Sequence, residues 1–106
     1  MALEDKDFIT IQIKQMVRNM GKMLGLETVK DLLAMDAFMK DVDSIEVETI
    51  YYVELIHDIQ QEAKLEDQVM ADQLGLDLLV WQALYQNERP ADRDELNKLE
   101  VYFQTL

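Results

Sequence analysis

The stretch Ile9-Thr10-Ile11-Gln12-Ile13-Lys14-Gln15-Met16-Val17-Arg18-Asn19-Met20-Gly21-Lys22-Met23-Leu24-Gly25 decides the fold class. Ile9, Ile13, Met16, Val17, Met20, Met23 and Leu24 recur at the three- and four-residue spacing that lines one face of a helix, whereas a half-buried strand alternates at every second residue. Lys14, Arg18 and Lys22 recur every four residues and are expected on the opposite face. The pattern predicts a helix from about Asp5 to Leu24. Gly25 is expected to end it, because glycine takes the left-handed cap conformation without a Cβ penalty.

The same period continues outward. A second helix is predicted over Thr28–Lys40, with Val29, Leu32, Leu33 and Met39 turned inward. Asp41-Val42-Asp43-Ser44 is a break in which Asp43 or Ser44 can cap the next helix, and Glu46 has the capping-box spacing from Asp43. That third helix is expected to be the longest interior one, running to about Lys64 on a stripe of Ile45, Tyr52, Leu55, Ile56, Ile59 and Ala63. Asp67 is expected to cap a short helix to Leu74 that Gly75 stops. Asp77 then caps another from Leu78 to about Asn87, which Pro90 closes. A last helix, about Asp92 to Gln104, is expected to bury Leu96, Leu99, Phe103 and Leu106.

One proline and three glycines in 106 residues are too few for a protein of strands and turns. The chain therefore reads as all-α, a single domain over residues 1–106. Five or six helices are expected to pack as antiparallel hairpins in a helical bundle or a helical-repeat-like stack, because the connections are short. Leu24-Gly25-Leu26-Glu27 and Leu74-Gly75-Leu76-Asp77 repeat one helix-stop-helix phrase, read as one kind of turn used twice.

The net charge is −12, and residues 35–106 carry all of it, since residues 1–34 balance five basic against five acidic side chains. Such a surface repels phosphate backbones and anionic lipid headgroups, which disfavours a nucleic-acid partner. The absence of cysteine removes disulfides and thiol chemistry and fits a reducing compartment. The acidic start, Met1-Ala2-Leu3-Glu4-Asp5, is unlike a signal peptide, and no apolar run is long enough to span a bilayer. A cytoplasmic protein is expected.

The sharpest local motif is Met70-Ala71-Asp72-Gln73-Leu74-Gly75-Leu76-Asp77-Leu78-Leu79-Val80-Trp81-Gln82-Ala83-Leu84, which resembles the helix-turn-helix of phage-type repressors. Ala71 and Gly75 stand at its small-residue and turn positions, and Met70, Leu74, Leu76, Trp81 and Leu84 at its buried ones. Against DNA binding, Leu65–Asn87 holds no lysine or arginine while Glu66, Asp67, Asp72 and Asp77 are acidic. Glu54-Leu55-Ile56-His57 has the Glu-x-x-His spacing of di-iron bundles. His57 is the only histidine, however, so a second copy of the motif would need a symmetric dimer. Asp41-x-Asp43 fails as a calcium loop, with Ile45 at a ligand position, Glu46 where glycine is required and Tyr52 in place of the closing glutamate. The only serine, Ser44, sits at a cap, and no glycine-rich phosphate loop is present. No catalytic residue, metal or cofactor is assigned.

The segment Lys6-Asp7-Phe8-Ile9, followed by Gln12-Ile13-Lys14-Gln15-Met16 and Gly21-Lys22-Met23-Leu24, resembles the start of a family of small all-helical proteins of unknown function from Gram-positive bacteria. The resemblance is confined to the first helix, and Thr10 and Ile11 depart from the polar-basic pattern of that family. It implies an all-α cytoplasmic bacterial protein and carries over no functional residue.

The function expected is that of a non-enzymatic protein-interaction or structural module. A helix-turn-helix regulator using residues 67–87 is the alternative. Tyr51, Tyr52, Trp81 and Tyr85 are the candidate protein interface, and Lys14, Arg18 and Lys22 the candidate basic docking face. The partner is expected to be a protein, with a second copy of the chain (a homodimer) among the candidates.

Overall fold

Every residue from Thr49 to Ile56 is buried, and that run organises the molecule. A helix apolar on one side keeps water on the other, whereas one apolar all round must be covered from several directions. A computed structural model of the chain describes the backbone of residues 2–20, 25–35 and 44–105, and the side chains of residues 10–19, 25–32 and 44–105. Six helices are present among them, α1 (Ala2–Met20), α2 (Leu26–Met35), α3 (Ser44–Ala63), α4 (Asp67–Leu74), α5 (Leu78–Tyr85) and α6 (Arg93–Gln104), with no strand among the described residues. The central helix α3 meets α1, α2, α5 and α6, while α4 packs on α5 and α6. The most extensive pairing, α1 on α3, joins helices that are not neighbours in sequence.

One core runs through all six helices. Ile13 and Val17 enter it from α1 and Val29 from α2. Met70, Ala71 and Leu74 come from α4, Trp81 and Leu84 from α5, and Leu99 from α6. The stripe read for the third helix is only part of its buried surface. Val47, Ile50, Tyr51 and Val53 are buried as well, whereas Ile45 and Ile59 are half-buried and Ala63 is exposed. Leu32, expected inward, is 36% exposed. Leu96 and Phe103 pack on the core from its margin. Leu33, Met39, Lys22, the Gly21–Leu24 end of the first helix, the Asp41–Asp43 break and Leu106 lie outside the described residues or side chains.

Three helices end in the same way. Lys64 (φ 56°), Gly75 (φ 74°) and Asn87 (φ 60°) each take the left-handed conformation. Each donates its N–H three residues back, and the following residue donates five back: Lys64 to Gln61 and Leu65 to Gln60, Gly75 to Asp72 and Leu76 to Ala71, Asn87 to Leu84 and Glu88 to Ala83. This double bond satisfies carbonyls that the helix end would otherwise orphan. Asn87 therefore stops α5, three residues before the proline expected to do so. The two Leu-Gly-Leu phrases also differ, since α2 begins at Leu26 directly after Gly25, while Leu76 and Asp77 separate Gly75 from α5.

Helix starts follow the acidic signals unevenly. Asp92 accepts from the Glu95 N–H at 2.8 Å while Glu95 accepts from the Asp92 N–H at 3.0 Å, a complete capping box. Asp77 occupies the cap position of α5 without a side-chain cap bond. Asp67 is the first residue of α4 rather than its cap, which is Glu66, and its carboxylate is turned elsewhere. Among the described residues, no helix is long and apolar enough to cross a membrane.

Candidate functional site

The α5–α6 connection forms a rim that is bonded to α3 and to α6. Thr49 on α3 donates its hydroxyl to the Ile45 carbonyl at 2.7 Å and accepts the Ala91 N–H at 3.1 Å, pinning the loop to α3 through a buried hydroxyl. Arg89 grips Glu95 through two parallel bonds, 2.7 and 2.8 Å, the bidentate geometry that suits guanidinium and carboxylate, and this draws the Glu95 carboxyl below its ordinary range. Glu95 thus serves the α6 cap and the loop together. Between this rim, α1 and the start of α3 lies a cleft of about 710 Å³ lined by Thr10, Ile11, Glu46, Thr49, Ile50 and the loop Gln86–Pro90. Its size is within the range of binding recesses. Ile11 stands on its wall 52% exposed, while Ile50 behind it is buried. No residue of this cleft was singled out for binding from the sequence. The signal was there, because Ile11 falls off the helical stripe of Ile9, Ile13 and Val17.

A second polar construction joins α3, α4 and α5. Trp81, wholly buried, donates its indole N–H to Gln60 Oε1 at 3.0 Å, as a buried indole requires. The Gln60 amide in turn donates to the Leu65 carbonyl at 3.1 Å and to Asp67 Oδ1 at 2.7 Å. The other oxygen, Asp67 Oδ2, accepts from Gln82 at 3.0 Å and Tyr85 at 2.7 Å. These bonds from Gln82, Gln60 and Tyr85 hold the Asp67 carboxyl below its usual value, and the bond to Asp67 raises the Tyr85 hydroxyl. His57 stacks on Tyr85 with ring centroids 4.6 Å apart, and burial lowers its pKa.

The candidate interface residues are not brought together. Tyr51 and Tyr52 form a closed aromatic triangle with Phe103, with centroid separations of 5.3, 6.0 and 5.5 Å. Trp81 and Tyr85 belong to a separate cluster with His57. Tyr51, Tyr52 and Trp81 are buried within the single chain, so they act as core anchors rather than an exposed docking cluster, and only Tyr85 is half-buried.

Lys14 and Arg18 of the expected basic face both pair with α3, and Arg18 keeps 70% of its side chain exposed. Arg18 donates to Glu54 Oε1 from both Nε, at 3.1 Å, and Nη2, at 2.6 Å, and Lys14 Nζ lies 4.0 Å from Glu54 Oε2. Both cations flank the buried stripe and turn to α3 instead of opposing it. Glu54, nearly buried, needs them as counter-charges. The Glu-x-x-His pair is thereby divided, with Glu54 committed to α1 and His57 to Tyr85. Among the described residues no group of three histidine, cysteine or acidic side chains is placed to hold a metal ion.

In the segment like a helix-turn-helix, Met70, Ala71, Leu74, Leu76, Trp81 and Leu84 are all buried, and α4, a tight turn and α5 follow one another. Its outer side carries Leu79, 77% exposed. Compared with protein-family models, curated proteins and solved structures, the chain matches none of them significantly.

Proposed function

We propose that the chain is a non-enzymatic protein-interaction module that receives a segment of a partner protein in the cleft between α1, α3 and the α5–α6 loop. The observation carrying this reading is Ile11, an aliphatic side chain left half open to solvent on the wall of a recess whose rim is held by Thr49, Arg89 and Glu95. A preformed rim spares a partner the ordering cost of its receptor. The chain's own polar groups support a scaffolding role, since Glu54, Gln60 and Asp67 are spent on joining helices. A cytoplasmic setting belongs to the proposal and is supported by the absence of cysteine.

A benzophenone amino acid at position 11, installed in the native cell, tests it. Irradiation is expected to give one discrete protein adduct that is lost when the photoprobe is moved to the exposed Leu79. A ladder of unrelated adducts, or none, rejects the reading.

A helix-turn-helix regulator using residues 67–87 is the second reading, supported by the burial of Met70, Leu74, Leu76, Trp81 and Leu84 at the positions the motif reserves for its core. Its acidic exterior opposes it, because phosphate contacts supply most DNA affinity. No retardation of a random duplex by micromolar protein at low salt disposes of it.

A further inference from the structure

The charges around the cleft indicate what kind of segment fits it. We propose that the cleft takes a lysine or arginine side chain of the partner, carried on an amphipathic segment whose neighbouring apolar side chain lies on Ile11. This deepens the protein-interaction reading and rests on it.

Four observations converge. First, the end of α5 that borders the cleft has no basic side chain in its last turn, so the helix places no positive charge of its own there. Second, Glu88 belongs to the lining and makes no ion pair among the described residues. Third, the cation of the lining, Arg89, is held by both oxygens of Glu95, which cancels its charge at the rim. Fourth, Ile11 supplies an apolar wall beside these acceptors, and the stem of a lysine or arginine covers such a wall while its head reaches the acceptors.

A second copy of the chain is the poorer occupant. Each copy carries −12, and like-charged surfaces repel. Among the described residues, the cations of the N-terminal third are also ion-paired within the chain, Lys14 and Arg18 with Glu54 and Lys30 with Glu48. A basic partner meets the opposite field and is steered toward it.

The test uses two synthetic amphipathic peptides with identical leucine positions, one with lysine and one with glutamate on the polar face, titrated by fluorescence anisotropy against the full chain. The lysine peptide is expected to bind, more weakly as salt rises, and the glutamate peptide not to bind. Glu88→Lys and Ile11→Ser are each expected to weaken binding by about tenfold or more. Asp77→Lys makes the same charge change at the far end of α5 and is expected to alter binding by less than about twofold, because salt screens distant surface charges. Equal losses in Glu88→Lys and Asp77→Lys would mean unspecific attraction and overturn the proposal. Equal binding of both peptides overturns it too. Failure of the lysine peptide while the photoprobe at position 11 still captures a different protein refutes the basic-partner chemistry and leaves the protein-interaction reading standing. A photo-adduct of the chain with itself makes a second copy the occupant and likewise overturns the proposal. Failure of both experiments removes both readings.

Discussion

Asp67 Oδ2 accepts the Tyr85 hydroxyl at 2.7 Å, a bond between the first residue of α4 and the last of α5 that spans the whole helical hairpin. With Gln60 and Gln82 on the same carboxylate, one acidic side chain clamps three helices. Its position at the start of α4 also lets the positive end of that helix favour its charge.

Asp67→Ala is expected to cost about 1–3 kcal/mol, because the Gln60 amide, itself buried, loses one of its two acceptors. The folded state holds this carboxyl below its ordinary 3.8, so its contribution is complete above that value and is lost as pH falls through the lower folded-state pKa. Urea unfolding at a series of acidic pH values should show a shallower acid decline for Asp67→Asn than for the parent. Identical slopes would remove Asp67 as a clamp.

His57 makes a separate pH prediction. Burial places its folded-state pKa below 6.5, so the unfolded chain binds the proton first as pH drops. Stability should therefore decline as pH falls from 6.5 toward the folded-state value and level off below it. His57→Phe keeps a ring against Tyr85 and is expected to erase that step in denaturant midpoints.

Thr49→Val keeps the shape of the side chain and removes both hydroxyl bonds, leaving the buried Ala91 N–H without an acceptor. A loss of about 1–3 kcal/mol is expected, largely restored in Thr49→Ser. Faster amide exchange across Asn87–Asp92 in the valine variant would report the loosened rim, and unchanged exchange would contradict the pinning role.

Lys64 and Gly75 occupy equivalent positions with unequal residues. A non-glycine residue in the left-handed region costs about 1–2 kcal/mol, and a glycine there adds back roughly 0.5–1 kcal/mol of unfolded-state entropy. Lys64→Gly should therefore stabilise the chain by about 0.5–1 kcal/mol, and Gly75→Ala should destabilise it by a similar amount. A Cβ at Gly75 meets only Lys98 Cδ at 4.0 Å, so the effect there is conformational, not steric. Thermal midpoints of the two variants moving in the same direction would refute the assignment.

Local chemistry was legible where it acts within five or six residues. The stop at Gly75, the start of α6 after Asp92 and the buried set of the α4–α5 hairpin follow from residues that touch their own neighbours. The stop at Asn87 was obscured by Pro90, a stronger signal standing three residues too late. The pairing of Arg18 and Lys14 with Glu54 was not legible, because a periodic charge pattern locates a helix face without saying which distant side chains meet it. Ile11 was passed over since a residue off the stripe reads as ordinary surface until a cleft is found beside it.

Sequence alone determined that this chain is helical, roughly where most of its helices begin and end, and that its exterior is acidic, because helix bonds, caps and net charge depend on the residue and its near neighbours. Tertiary structure decided that α3 lies at the centre, that Glu54 gathers Lys14 and Arg18 of α1, the latter across 36 residues, that Asp67 serves α3 and α5, and that a cleft opens beside Ile11. Those outcomes depend on which surfaces meet, and surfaces distant in the chain meet only after the helices have packed.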